Sequence, residues 1–315
     1  MEKPIILSLF DISKFFDRES LVGTMSALHN YNINGKLYRH VYILNKDTII
    51  QVKTGVGLSE KEETGENVGQ GTIDGALVSS AGISNGVDDV FSKSKHEIVY
   101  GGDKLQPFIF QDDIIRACLS TESLRAGNRM MEEIIEGKLL DFNLSKSCCM
   151  VIGKNKLRQN LIKEIGESEI KLCGQPVQIV ESEKWLGDYL HSKGNSQSII
   201  ATIKSRNGLA LSSCMDIINI IEDIRASVIG GLMTGIQMFE LCVVPYVLNN
   251  SDTWDYIPKE AMDMLEKLEN TFYCHLLGTP RKGSPQPSVF WEIGQVPLKY
   301  KIMEKTLIFY HHVMS

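Results

Sequence analysis

The stretch Pro107–Cys118 reads PFIFQDDIIRAC, and it decides how the rest of the chain is interpreted. Apolar runs at Phe108–Phe110 and Ile114–Ile115 flank a short polar break that contains Asp112 and Asp113. This pattern predicts a β-hairpin whose tip carries two adjacent carboxylates. Carboxylates this close repel each other and ionise at low cost only beside a cation, for which a hard divalent ion such as Mg²⁺ is the natural candidate. The alternative is that one of the aspartates caps a helix that begins directly after the pair.

The composition is that of an ordinary soluble protein. The chain has 315 residues, of which 43% are hydrophobic and 23% are charged, so it is long enough for two domains with cores of their own. The net charge of −6 counts mildly against a nucleic-acid binder, for which a basic surface is expected. Basic residues do become denser at 154–163 and 193–206, where they could line one groove.

The seven cysteines are scattered, and none forms a C-x-x-C pair. This usage indicates reduced thiols in an intracellular protein, and it argues against a disulfide framework or a zinc site. No apolar run approaches the length needed to cross a bilayer, so no membrane partner is expected. The sequence does not indicate the oligomeric state.

Periodicity predicts an α+β part followed by an all-α part, with a boundary near residue 193. The predicted strands are Pro4–Phe10, Thr48–Lys53, Glu97–Tyr100, Phe108–Phe110 and Cys148–Ile152, with Gln178–Val180 and Trp185–Tyr189 forming a second hairpin-like unit. The predicted helices begin at Asp17, which would be the N-cap, and at Ala76, and continue with Thr121–Leu140, Ile199–Ile221, Ile224–Leu248 and Lys259–Leu277.

A third carboxylate, Asp11, ends the first predicted strand. If that strand and the 108–115 hairpin are neighbours in one sheet, Asp11 converges with Asp112 and Asp113. Three such carboxylates can hold two metal ions a few ångströms apart, which is the arrangement that polymerases use. The spacing alone does not require these strands to be neighbours.

Five motifs, in order along the chain, resemble the reverse transcriptase domain of non-LTR (LINE-type) retrotransposons. They are Phe10–Asp17 (FDISKFFD), Gly69–Thr72 (GQGT), Phe110–Asp113 (FQDD), Asp141–Lys146 (DFNLSK) and Trp185–Gly187 (WLG). Leu277–Pro280 and Glu292–Leu298 resemble the helical region that follows the thumb in these elements.

The resemblance implies a fold and a reaction. Residues 1–192 would form a polymerase palm, an antiparallel sheet backed by helices, and 193–315 an all-α thumb with a C-terminal helical extension. The fingers segment is expected to be missing upstream. The implied activity is RNA-directed DNA synthesis, in which a dNTP is joined to a primer 3′-OH with two Mg²⁺ ions. RNA template and DNA primer would be the partners, in the cytoplasm and nucleus.

The resemblance also assigns roles at the metal site. Asp11 and Asp112 would be the principal metal ligands, helped by the backbone carbonyl of Ile12, and Asp113 would contribute mainly electrostatically. Lys146 would donate a proton to the leaving pyrophosphate or steady the triphosphate, and an exposed surface lysine is the alternative.

Five further residues would bind substrate. Phe16 would lie beneath the incoming sugar and exclude a 2′-OH, with a core aromatic as the alternative. Gln70 and Gly71 would hold the template nucleotide and the nucleotide pocket, or form an ordinary glycine turn. Trp185 and Gly187 would form the turn that supports the primer, unless Trp185 is simply packed in a core.

Three positions depart from the family pattern: Gln111, where a small residue is usual; Phe15, where alanine is usual; and Gly75–Ala76, where Ser-Pro is usual. These departures suggest a divergent branch. A second hypothesis is a non-catalytic or domesticated remnant that binds RNA or protein, which the expected loss of the fingers segment and the acidic balance favour and the retained Asp11, Asp112 and Asp113 oppose. A third is a helical structural protein whose acidic residues only cap helices. A structure with Asp11 far from Asp112 would favour the third.

Overall fold

The computed structural model describes residues 3–46, 49–63, 75–224, 228–279 and 286–315. The chain is mixed α+β and divides into two compact units, Met1–Glu181 and Ser182–Ser315. The predicted boundary near residue 193 falls inside the second unit, directly after a hairpin in which Ser182–Trp185 pairs with Asp188–His191.

The first unit is built on a six-stranded sheet. Its strands, in spatial order, are Gln178–Ile179, Cys148–Ile152, Ile5–Ser13, Asp113–Cys118 and Phe108–Phe110, with Asp141–Phe142 pairing beside the end of Ile5–Ser13. All neighbours are antiparallel except Cys148–Ile152 and Gln178–Ile179, which run parallel. The predicted antiparallel sheet is confirmed apart from that one pair.

Helices cover one face of this sheet, and they are Gly75–Phe91, Thr121–Gly137 and Asn155–Glu167. Phe10, Ile12 and Ile114 point toward them and share a buried cluster with helix residues such as Met131. Each such apolar side chain contributes about 1.5–3 kcal/mol when buried. Because successive side chains of a strand point to opposite faces, the odd-numbered positions of Ile5–Ser13 face away from these helices.

The remaining elements of the first unit are short. Its other helices are Phe15–Arg18, Leu21–Asn30 and Gly35–Asn45. Two-residue strands pair as Ile49–Ile50 with Glu62–Glu63, Lys53–Thr54 with Gly57–Leu58, Val99–Tyr100 with Asp103–Lys104, and Lys171–Leu172 with Gln175–Pro176.

The second unit is helical after its hairpin. Its helices are Asn195–Ile224, Val228–Met238, Val244–Val247, Lys259–Leu277, Gln286–Ile293 and Leu298–Met314, with a π-helical turn at Phe239–Val243 and a 3₁₀ turn at Ser251–Thr253. An aromatic group anchors the core: the Phe239 and Phe272 rings stack with centroids 4.6 Å apart, and Tyr273 lies against both. These helices bury one continuous apolar cluster.

Several predicted elements are wrong in detail in the first unit. Asp17 lies inside the short 15–18 helix, and the cap of the next helix is Ser20, whose Oγ accepts from the Gly23 N–H. The predicted strand over 48–53 is divided within the described residues, because 49–50 pairs with 62–63 whereas 53–54 pairs with 57–58. Gln178–Val180 does not form a unit with Trp185–Tyr189, because its strand joins the main sheet.

The predicted helix Ile224–Leu248 is largely present: the described residues are helical from Val228 to Val247, with a π-helical segment at Phe239–Val243, whereas Ile224 itself ends the preceding helix. One window within it, Gly230–Val247, has a mean hydropathy of 1.2 and is long enough to span a membrane, with 39% of it buried. The expectation that no apolar run reaches that length is therefore wrong for the described residues. Buried core helices of soluble proteins meet the same criterion, because a core and a bilayer select the same side chains.

Candidate active site

The hairpin tip and the end of the first strand meet in the sheet. Phe108–Phe110 and Asp113–Cys118 form the predicted hairpin, so the helix-cap alternative for Asp112 and Asp113 is wrong. Asp113–Cys118 pairs with the first strand in a register that places Asp11 directly opposite Asp113. This contradicts the hypothesis of a helical protein with its acidic residues far apart.

The main-chain hydrogen bonds show that Asp11 and Asp113 are a close pair. The Asp11 N–H donates to Ser147 Oγ at 3.1 Å, and its carbonyl accepts from the Asn143 N–H at 2.8 Å. Both main-chain groups of Asp11 thus point away from Asp113. Asp11 and Asp113 are therefore a non-hydrogen-bonded antiparallel pair, in which side chains share a face and Cβ atoms lie about 4.5–5.5 Å apart.

Asp112 lies in the two-residue turn of the hairpin, after Gln111. Gln111 has a φ of 58°, whereas the φ of Asp112 is not positive. This combination matches a type II′ turn, whose first position is normally glycine because a side chain is strained there. The Gln111 N–H donates to Ser80 Oγ at 3.3 Å, which ties the turn to the 75–91 helix.

Lys146 provides the positive charge at this tip. Its Nζ lies 3.6 Å from Asp11 Oδ1, and 68% of its side chain is exposed. A turn that begins at Asn143 presents it, with the Lys146 and Ser147 N–H groups donating to the Asn143 carbonyl. The same segment bonds the main chain of Asp11, so the lysine and the aspartate are positioned by one local structure.

The carboxylates influence one another electrostatically. Burial raises the pKa of Asp112, and the charge of Asp11 raises it further while Lys146 lowers it. Burial also raises the pKa of Asp113, as do the charges of Asp112 and Asp11, again opposed by Lys146. The three acidic residues therefore lie close enough to repel, and a cation placed among them would relieve this repulsion.

The donor set fits Mg²⁺ in chemical type, because partly buried carboxylate oxygens are the ligands that this hard ion prefers. In the described part of the chain, no three His, Cys, Asp or Glu side chains are already arranged as a metal cage. Side chains at the tip would therefore turn toward a bound ion, and the half-buried positions of Asp112 and Asp113 allow this.

The first unit carries further predicted site residues, some of which the structure describes. Ile12 follows Asp11, and its side chain is buried among the helices. Phe16 is half-buried and packs edge-on against Phe15 with ring centroids 5.5 Å apart. Phe15 itself is 3% exposed in the core. Residues 70 and 71, predicted as template-binding Gln and Gly, lie outside the described residues.

In the second unit, Trp185 precedes the turn of a hairpin and Gly187 lies within that turn. Trp185 pairs with Asp188, so Leu186 and Gly187 form the two-residue turn. Sequence reasoning missed Arg206 here, whose guanidinium donates to the Gly187 carbonyl at 2.9 Å. Residues 19 positions apart leave no local sequence signal for such a bond.

Two of the basic residues at 154–163 and 193–206 are buried. Arg158 and Arg206 are 7% and 5% exposed, and Arg206 uses its donors inside the protein. Lys154, Lys156 and Lys204 remain exposed. The 154–163 and 193–206 stretches therefore carry less surface charge than their composition indicates.

Comparisons with known proteins give no family for the chain. No family model matches it, and no curated protein matches it. Among solved structures it is similar to telomerase from Candida albicans in complex with a TWJ fragment of telomeric RNA, at 14% identity and a TM-score of 0.41, covering 93% of this chain and 46% of that one. It is also similar to apo telomerase from Candida tropicalis, at 12% identity and a TM-score of 0.45, covering 98% and 47%.

The chain thus spans about half the length of these telomerase structures. A TM-score below 0.5 does not establish a common fold. The function is therefore argued from the geometry of the site.

Proposed function

We propose that the chain is the palm and thumb part of an RNA-directed DNA polymerase of the non-LTR retroelement type, which transfers a nucleotidyl group from a dNTP to a primer 3′-OH. The observation that carries this proposal is the cross-strand pairing of Asp11 with Asp113, with Asp112 in the adjoining turn and Lys146 3.6 Å from Asp11. Acidic residues concentrated at one strand end, with one lysine facing them, suit chemistry on a polyanionic triphosphate.

The carboxylates of Asp11 and Asp112, with the Ile12 carbonyl, would hold two Mg²⁺ ions, and Asp113 would add negative charge beside them. Bound there, the ions would activate the attacking hydroxyl and neutralise the leaving pyrophosphate. The protein's own contribution is position: the sheet register fixes Asp11 against the hairpin, and Ser80 holds the turn.

Lys146 would serve the leaving group. Its exposed ammonium forms an ion pair with Asp11 and would reach a triphosphate bound over the carboxylates. A lysine so placed can donate a proton to pyrophosphate as it leaves. Phe16, in the short 15–18 helix, would exclude a sugar that carries a 2′-OH. The 185–188 turn would support the primer.

Primer extension by the full reading frame that encodes this chain tests the proposal. On an RNA template with Mg²⁺, the wild type is expected to extend a DNA primer, and Asp112→Asn is expected to lose about 10²–10³-fold in rate, as removal of a charge-stabilising group does. Asp103→Asn, an exposed aspartate in the same unit, is the control. Undiminished extension by Asp112→Asn refutes the metal assignment.

Metal binding gives a second measurement that does not need activity. Mn²⁺ substitutes for Mg²⁺ at oxygen sites, and its bound fraction can be counted by electron paramagnetic resonance. The wild type and Asp103→Asn are expected to bind it equally. Asp11→Asn is expected to bind it at least about tenfold more weakly, since charged ligands dominate such sites.

One observation favours the second candidate, a non-catalytic remnant that binds RNA or protein. Within the described ranges no metal cage is preformed, and a lysine already balances Asp11. Salt-dependent RNA binding by a wild type that neither extends primers nor binds Mn²⁺ would establish this alternative.

A further inference from the structure

The turn at residues 185–188 of the second unit has a backbone that its sequence does not favour. Leu186 and Gly187 have φ angles of 49° and 86°, which is the pattern of a type I′ turn. Glycine adopts this region freely, whereas leucine is strained in it and Asn or Asp is the usual choice. Contacts from outside the hairpin must therefore hold the turn in this form.

Arg206, on the 195–224 helix, supplies two of these contacts. Its Nη2 donates to the Gly187 carbonyl at 2.9 Å and to Asp188 Oδ1 at 2.5 Å. Its Nη1 donates to the carbonyls of Asn249 at 2.7 Å and Val247 at 3.3 Å. The residue is 5% exposed, so this guanidinium joins the turn, the helix and the 247–249 segment inside the protein.

Asn250 completes the clamp from the adjoining segment. Its side-chain amide donates to the Leu186 carbonyl at 3.2 Å and to Asp188 Oδ2 at 3.0 Å. Both carbonyls of the turn are therefore directed into the body of the unit. Because a trans peptide directs its N–H opposite to its C=O, the N–H of Gly187 points outward, where this residue is exposed.

We propose that Arg206 is a positioning residue that fixes the 185–188 turn in the form that supports the primer, an inference that rests on the proposed polymerase function. The planar guanidinium offers donors to four acceptors in fixed directions, which the single ammonium of lysine cannot reproduce. Arg206 itself contacts no substrate. It acts through the orientation of the two turn carbonyls and hence of the Gly187 N–H.

Hydrogen exchange measured by mass spectrometry tests the clamp without any need for activity. In Arg206→Lys, exchange of the amides of 182–191 is expected to become at least about tenfold faster, while the 259–277 helix exchanges as in the wild type. Lys204→Met, an exposed position on the same helix, is the matched control and is expected to change neither segment.

Steady-state primer extension tests the link to function. Arg206→Lys is expected to raise the KM for primer–template about tenfold and to leave the KM for dNTP unchanged. A role in stability alone would instead lower the apparent kcat, through loss of folded enzyme, and leave both KM values unchanged. That result would overturn the proposal.

The remaining outcomes are as follows. Unchanged exchange in 182–191, or equally faster exchange throughout 182–315, refutes the clamp. If Arg206→Lys does not fold, Asn250→Gly replaces it: glycine keeps the left-handed φ of 56° and removes the side-chain contacts to Leu186 and Asp188, and the same local effect is expected of it. A wild type that extends no primer refutes the polymerase, whereas the exchange experiment still decides whether Arg206 holds the turn.

Discussion

Asp113→Asn should stabilise the metal-free first unit while weakening its hold on a divalent cation. The substitution keeps the shape of the side chain and removes one of two charges that face each other across the strands. At about 5 Å, unit charges repel by about 0.8 kcal/mol in water and about 3 kcal/mol at an effective dielectric constant of about 20.

The true value should lie near the lower figure. Asp113 is only partly buried, so water screens its charge, although the Asp11 side chain is 18% exposed. Lys146 also offsets part of the repulsion. We expect the unfolding free energy of the first unit to rise by about 1 kcal/mol at low ionic strength and neutral pH, and by less in high salt.

The pH dependence has a definite sign. Burial and neighbouring charge raise the pKa of Asp113 above its ordinary value of 3.8, so the folded state binds this proton more tightly than the unfolded state does. The unfolding free energy therefore falls as the pH rises from about 3.8 through the raised pKa. Asp113→Asn should reduce this fall, so its advantage over the wild type grows with pH.

Urea-dependent hydrogen exchange of the 5–13 and 113–118 strands is the suitable assay. All three tryptophans lie in 182–315, so tryptophan fluorescence would report only on the second unit. Asp103→Asn, exposed on a separate hairpin, controls for loss of one negative charge. The prediction is refuted if Asp113→Asn is no more stable than the wild type at low salt. It is also refuted if Asp113→Asn remains the more stable protein when Mn²⁺ is added, because the repelling Asp11–Asp113 pair should then favour the wild type.

Three further predictions concern single residues. Lys146→Gln should slow primer extension about 10²-fold and move the acid limb of its pH profile upward, because the positive charge that lowers the pKa of Asp112 is lost; an unshifted limb would contradict this. Gln111→Gly should stabilise the first unit by about 0.5 kcal/mol, since relief of strain at φ 58° exceeds the entropy cost of glycine, and a lower urea midpoint would argue against that strain. Glu269 is buried with its pKa raised to about 8, so tryptophan-monitored stability of the second unit should fall as pH rises from about 4.5 to 8, by up to about 1.4 kcal/mol per pH unit; Glu269→Gln should flatten that slope, whereas Asp263→Asn, at an exposed position on the same helix, should keep it.

Local patterns in the sequence predicted the hairpin at 108–118, because apolar runs on both sides of a short polar break specify two strands and their turn. The same kind of pattern placed Asp11 just after a strand that ends at Phe10, whereas the strand continues to Ser13 and contains Asp11. That these strands are neighbours came from the resemblance, and the register of Asp11 against Asp113 required the structure. Side-chain periodicity sets which face a residue occupies, but it does not choose the partner strand.

Helix breaks in the second unit show where local signals mislead. Gly230 and Gly231 have low helix propensity, yet both lie within the 228–238 helix. Nearby Gly235 has a packing role, because a Cβ there would lie 2.5 Å from Ile221 Cδ1. Pro245 stands near the start of a short helix, where its missing N–H costs nothing. The irregularity that the structure does show is the π-helical segment at 239–243, which local sequence patterns do not predict.

Charged residues inside the protein were beyond sequence reasoning as well, because arginine is ordinarily a surface residue. Arg116 is 1% exposed and pairs with Glu97 at 2.8 Å on the helix-covered side of the sheet. A Cβ on Gly127 would lie 2.1 Å from the Arg116 guanidinium, so this glycine makes room for it. Removing one member alone would leave a buried charge, at a cost of about 3–5 kcal/mol.

The two motif turns share one physical feature. Gln111 and Leu186 are both non-glycine residues at positive φ, in two-residue turns where the family motifs place functional groups. In each case a polar side chain from another element bonds the strained peptide: Ser80 accepts from the Gln111 N–H, and Asn250 donates to the Leu186 carbonyl. Strain of about 1–3 kcal/mol persists only where the surroundings over-determine the backbone. Without these contacts, Gln111 and Leu186 would leave the strained positive-φ conformation. Residues distant in the sequence therefore fix the backbone of both turns. A site that must hold main-chain or carboxylate groups in one orientation requires such support.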